Sequence, residues 1–142
     1  MDKTKELLNE LHKATKAAIV GIDNLKAEIN NGDFVELVQK QNQYYEAFSK
    51  RIKKMAVNFE FEPDDINVFM KAGSFMQSKF KTMMDESDEK VAEILINGTK
   101  MGIQNMNELI HEYEDANGNI LALAKEFKEN LEKFLTSLKE FV

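Results

Sequence analysis

The apolar residues of this chain form stripes that repeat. Leu7, Leu11, Ala14, Ala18, Ile22, Leu25 and Ile29 recur at steps of three and four, the signature of one helix face. Shifting that stripe by 84 positions lands on Val91, Leu95, Gly98, Gly102, Met106, Leu109 and Tyr113, residue for residue. A second stripe, Phe34, Leu37, Val38, Gln41, Tyr45, Phe48, Ile52 and Met55, shifts by 86 onto Ile120, Leu123, Ala124, Phe127, Leu131, Phe134, Leu138 and Phe141. The small pair Ala14 and Ala18 falls on Gly98 and Gly102, and an Asn-Gly step stands in both turns, at 31–32 and 117–118. Matched spacing is common to amphipathic helices, but the shared small pair and shared turn point to a duplicated helical hairpin.

One domain accommodates that plan. The chain has 142 residues, 43% hydrophobic and 31% charged, with one proline and six glycines, which suits a compact helical protein with a real core. The expected bounds are a hairpin over 1–58, a crossover helix over 63–84 and a second hairpin over 88–142. Asn31-Gly32 is read as a turn that uses positive φ, and Asp33 with Glu36 as a capping-box-like start of the second helix. The crossover stripe is Ile66, Phe69, Met70, Gly73, Met76, Phe80 and Met83, and "DESDE" at 85–89 supplies acidic caps for the next helix. A helix over the crossover would be about 30 Å long at 1.5 Å per residue, so it can return the chain to its starting end. The second and fourth predicted helices are then parallel.

With no cysteine in the chain, disulfides, thiolate metal sites and cysteine nucleophiles are excluded. "MDKTKELLNELHKATK" is charged and amphipathic, and no apolar run approaches a membrane span, so a cytoplasmic protein without a membrane partner is expected. The net charge of −6 argues against a nucleic-acid partner.

With its helix order and segments such as "KTMMDESDEKVAEILINGTKMGI", the chain resembles the ferritin-like superfamily over nearly its whole length. It is more similar still to bacterial ferritin-like proteins of the domain-of-unknown-function kind that lack the di-iron ligands. The resemblance implies an all-α, antiparallel four-helix bundle of two hairpins, with an additional helix in the long crossover. Metal-binding members of that superfamily carry a Glu on the first helix of each hairpin and Glu-x-x-His on the second. The corresponding stretches here, around Gln41 to Tyr45 and Phe127 to Leu131, hold no histidine. The inward positions of the other two helices are assigned to Ala14, Ala18, Gly98 and Gly102, small residues that let backbones approach and offer no ligand.

Glu108-Leu109-Ile110-His111 does spell Glu-x-x-His, but in the wrong helix and with His111 about 180° from the apolar stripe. It is read as surface, not as half a metal site. His12, on the flank of the first helix, is read as a surface or boundary histidine. Gln41 lies mid-stripe and is expected to be a satisfied buried amide, in a polar contact with Tyr45, Tyr44 or backbone. Lys50, Arg51, Lys53 and Lys54 are read as complementing the second helix's dipole, with anion binding as the sharper alternative. The Asn/Asp-rich turns fail the calcium-loop pattern, since Ala27 and Tyr113 stand where the first ligand is needed.

Val68 and Phe75 lie opposite the crossover stripe, so both faces of that helix are apolar and an interface is expected there, in a homodimer or with a protein partner. The methionines of the crossover, with Met101 and Met106, suit adaptable packing. No catalytic residue set, metal or cofactor is expected. The leading expectation is a non-catalytic, metal-free ferritin-like bundle acting through protein contacts. The alternatives are an atypical metal or small-ligand site using Glu10, Glu108 or Gln41, and a secretion-chaperone or sensory four-helix module.

Overall fold

The computed structural model describes residues 2–63 and 87–142. Four long helices carry the architecture: α1 (Lys3–Leu25), α2 (Gly32–Asn58), α3 (Asp88–Glu112) and α4 (Gly118–Leu138), with short 3-10 turns at Lys26–Glu28 and Lys139–Phe141. They are the first, second, fourth and fifth helices of the sequence pattern. The expected crossover helix over 63–84, with Val68 and Phe75, lies outside the described residues apart from Pro63.

Two hairpins, α1 with α2 and α3 with α4, form the strongest pairings. α1 also packs on α3, and α2 on α4, which closes the four-helix bundle. The direction of α3 follows from two latches. Asp88, at the start of α3, accepts the backbone N–H groups of Asn30 and Asn31 at 2.8 and 2.7 Å. Thr4, at the start of α1, accepts the N–H of Asn117 at 3.1 Å. Each helix start therefore meets the other hairpin's turn, so α1 and α3 are antiparallel and α2 and α3 parallel, as the long connection requires. The latches obey the repeat, for Thr4 shifts by 84 onto Asp88 and Asn31 by 86 onto Asn117.

The turns work differently from the expectation. Asn31, not Asp33, caps α2, its side chain accepting from Phe34 N–H at 3.1 Å. Asn117 caps α4 by accepting from Asn119 N–H. Among the described residues no glycine has positive φ. Gly32 and Gly118 are instead the first residues of their helices, so Asn-Gly here is cap and first turn in sequence. Ser87 caps α3, with Asp88 and Glu89 in its first turn facing the positive end of the helix dipole.

α2 ends on a Schellman motif. Phe61 N–H donates to Ala56 O and Glu60 N–H to Val57 O, both at 3.0 Å, with Glu60 in the left-handed region at φ 52°. The cluster Lys50, Arg51, Lys53 and Lys54 lies before the last turn, which contains no basic residue. The dipole reading of that cluster is thus corrected, because the effect fades beyond the terminal turn.

The core is the two stripes brought together. Leu7, Leu11, Ile22, Phe34, Phe48, Ile52, Met106, Ile120, Phe127 and Leu138 are all buried. Phe48 stacks on Phe127 with ring centroids 4.9 Å apart, and Phe34 on Phe141 at 4.6 Å. In α1 and α3, however, the buried arc is turned by about one residue from the stripe read off the sequence. Leu8, His12, Thr15 and Ile19 are buried in α1, and Ala92, Ile96 and Thr99 in α3. Ala14, Ala18, Gly98 and Gly102 sit at the edge of that arc, half-buried. His12 is therefore not a surface residue but only 1% exposed.

Candidate binding groove between α1 and α3

The rotation of the buried arc has a geometric result. With their small residues on facing edges and not at the centre, α1 and α3 leave an apolar groove between them, with a cavity volume of about 510 Å³. Ala14, Ala17 and Ala18 form one lip and Gly98 and Gly102 the other. Sequence reasoning assigned these residues to close backbone approach; the structure places them around a space. Tyr45, Phe127, Leu131 and Phe134 also line it, all of them buried. Gly102 shows how near the wall is: a Cβ there would meet Leu131 Cδ1 at 3.3 Å.

The groove has two unlike ends. In the antiparallel register Glu10, Lys13 and Asn105 fall at one end, and Gly21, Ile22 and Leu95 at the other. Lys13 and Glu10 form an ion pair one helical turn apart, 3.7 Å long and about one-third exposed on each side. Met101, 56% exposed, leaves an apolar side chain at the open edge.

Thr99 stands between those ends. It is 7% exposed and lines the groove, yet its hydroxyl makes no hydrogen bond among the described residues. The equivalent residue of the first hairpin, Thr15, is fully buried and donates to Leu11 O at 2.7 Å. Such a bond back to the preceding turn is the usual resort of a helical threonine. The Thr99 oxygen is not among the fully buried side-chain atoms that lack a partner, so a hydroxyl without a protein bond keeps contact with solvent, on a residue that lines the groove.

The polar contacts of the α2–α4 seam are of another kind. Gln41, 7% exposed, donates from Nε2 to Asn130 Oδ1 at 2.6 Å, and it also hydrogen-bonds Tyr45. Tyr45, Tyr44 or backbone was the expected partner of Gln41; Asn130, from a helix far along the chain, is the one that sequence reasoning missed. Burial pushes the Tyr45 phenol above its ordinary range, with the Gln41 bond opposing, so it stays a neutral donor and acceptor. Glu126 receives a fork from Arg51, at 2.7 and 3.1 Å, and a third bond from the Tyr44 hydroxyl at 2.9 Å. The Arg51 bonds hold the Glu126 carboxyl below the usual range, and burial followed by the Glu126 bond raises Tyr44. Every strong polar group of this cluster is satisfied internally, which is structural work and not a site.

No metal centre emerges among the described residues, where no three His, Asp or Glu side chains are grouped to hold an ion. Glu108 and His111 are both exposed on α3, off the buried face, and Glu10 lies at the groove's end without an acidic or histidine cluster. The mid-helix positions that face inward are Thr15 and Thr99, not the small residues, and neither threonine is a carboxylate. Among the described residues, no helix is long and apolar enough to cross a membrane.

No protein-family model matches the chain. A search of curated proteins likewise finds no match. Among solved structures, the crystal structure of Dps92 from Deinococcus radiodurans superimposes with a TM-score of 0.76 over 98% of this chain and 85% of its own, at 13% identity. A likeness at that identity speaks for the fold, and with the latched antiparallel hairpins it settles it: the chain is a ferritin-like four-helix bundle.

Proposed function

We propose that this protein is a non-catalytic member of the ferritin-like fold that works by binding, and that the groove between α1 and α3 is where it binds. The observation that carries the reading is the groove itself, an apolar space of about 510 Å³ bordered by Ala14, Ala18, Gly98 and Gly102. Pockets of that size and lining typically hold small molecules, with a few polar groups fixing orientation. The absence of a histidine in α2 and α4 supports a metal-free role. So do the threonines that occupy the inward positions of α1 and α3.

Elemental analysis and native mass spectrometry on protein purified without chelators test the metal-free part. A metal-free polypeptide, or one carrying a small organic mass, is the expected result; stoichiometric iron or manganese overturns it. Binding of a hydrophobic fluorophore such as anilinonaphthalene sulfonate, reduced in Ala14→Leu, tests the groove. Equal binding to both proteins removes the groove as the site.

Association through Val68 and Phe75 is proposed on the sequence alone. A native mass that falls from dimer to monomer in Phe75→Glu supports it, and a mass unchanged by the substitution overturns it.

A further inference from the structure

Resting on the groove as binding site, we infer that its ligand is an oxygenated fatty acid: a single acyl chain with a carboxylate at one end and a hydroxyl or carbonyl oxygen part-way along. Three features of the groove lead to this class.

Shape is the first. Leu95 and Asn105 are ten residues apart on α3, so the lined length is about 15 Å at 1.5 Å per residue. The lips are glycine and alanine, which admit a slim chain along the helix–helix furrow. Apolar side chains line most of that length, so burying the methylene groups of a chain there is favourable.

Polarity is the second. The charged and amide groups gather at one end, where Lys13 and Asn105 can hold a carboxylate. Lys13 is available because its pair with Glu10 is long, part-exposed and within the same helix, a kind of contact worth little. The opposite end, at Gly21, Ile22 and Leu95, carries no charge among the described residues and suits the chain's methyl terminus.

Thr99 is the third, and it decides between a plain and an oxygenated chain. It lies about 9 Å along the axis from Asn105, well inside the groove. A saturated chain laid across it would strip water from a hydroxyl that has no partner among the described residues, an unfavourable exchange. An oxygen on the chain at that level satisfies it instead. Thr15, the repeat equivalent, shows that the same helix geometry could have tied the hydroxyl to its own backbone.

Competition against dansylaminoundecanoic acid, followed by its fluorescence, tests the inference on the full chain. Dodecanoic acid and a dodecanoic acid hydroxylated at mid-chain serve as competitors. The hydroxylated acid should displace the probe about tenfold more effectively from wild type. In Thr99→Val that ratio should fall to about one, and Thr99→Ser, which restores a hydroxyl, should recover it. Circular dichroism confirms that each variant is folded. If both acids compete equally with wild type, or if the preference survives Thr99→Val, the oxygenated class is wrong while the groove stands. If the probe does not bind at all, the groove reading fails with it.

Discussion

Gln41 Nε2 lies 2.6 Å from Asn130 Oδ1, joining α2 to α4 by an amide–amide bond between residues 89 positions apart. Gln41 is nearly enclosed, so losing its partner should matter more than the bond's net worth suggests. Asn130→Ala is expected to lower the free energy of unfolding by about 1–3 kcal/mol, the cost of a buried polar group left unsatisfied. Gln41→Leu combined with Asn130→Leu should recover most of that loss. Urea midpoints of the two variants check the pair, and equal destabilisation by both would refute the account.

Glu126 contributes to the acid limb of stability. Its carboxyl is held below the ordinary 4.5 chiefly by Arg51, so the folded state binds its proton less readily than the unfolded chain. Its contribution is present above the unfolded value and is lost as pH falls through the lower folded value. Glu126→Gln should therefore flatten the decline in stability below about pH 4.5, measured by thermal melts across a pH series. Because both partners are substantially exposed, the expected difference is small.

The tyrosines set the alkaline limb. Tyr44 and Tyr45 are both raised above 10.0, first by burial, so the unfolded chain loses its phenolic protons before the folded one does. That contribution is complete below pH 10.0 and drains away as pH rises through the folded values. Phenolate absorbance should stay low for these two residues until the helices melt. Titration of all three tyrosines near pH 10.0 without loss of helix would contradict their burial.

Glu60 occupies the left-handed position of the Schellman motif, where a β-carbon is unfavourable. Glu60→Gly should raise stability by about 0.5–1 kcal/mol, since relief of backbone strain outweighs the added freedom of the unfolded chain. A denaturation midpoint that falls instead would mean that the Glu60 side chain makes a contribution of its own.

Asp88 is tested by Asp88→Ala, which leaves two turn N–H groups to water. A loss of about 1 kcal/mol is expected, because charge-assisted bonds are strong but these are exposed. Hydrogen exchange at Asn30 and Asn31 should accelerate in the same variant.

Much of the fold was legible because period and repeat are properties of the backbone. Leu7 to Tyr113 gave the stripes, and the Asn-Gly steps gave the turns. The centre of each stripe was less legible. Ala14 and Gly98 read as apolar while Thr15 and Thr99 read as polar, so the true inward residues were passed over in favour of their neighbours. His12 was misplaced for the same reason, its polarity outweighing its position between Leu8 and Thr15. The cap of α2 was misassigned because Asn31 and Asp33 compete for the same role within two residues. The Arg51–Glu126 fork spans 75 positions, and nothing local in the sequence marks either residue as the other's partner.

The reciprocal latches bear on how the bundle comes apart. Thr4 of the first hairpin completes the second turn, and Asp88 of the second completes the first. Neither hairpin therefore has all of its turn hydrogen bonds while the other is absent, although each has a short loop and local pairing of its own. Fraying that begins in one half withdraws support from the other half's turn. The protein should consequently open as a single cooperative unit, with both turns exchanging their amide hydrogens in step.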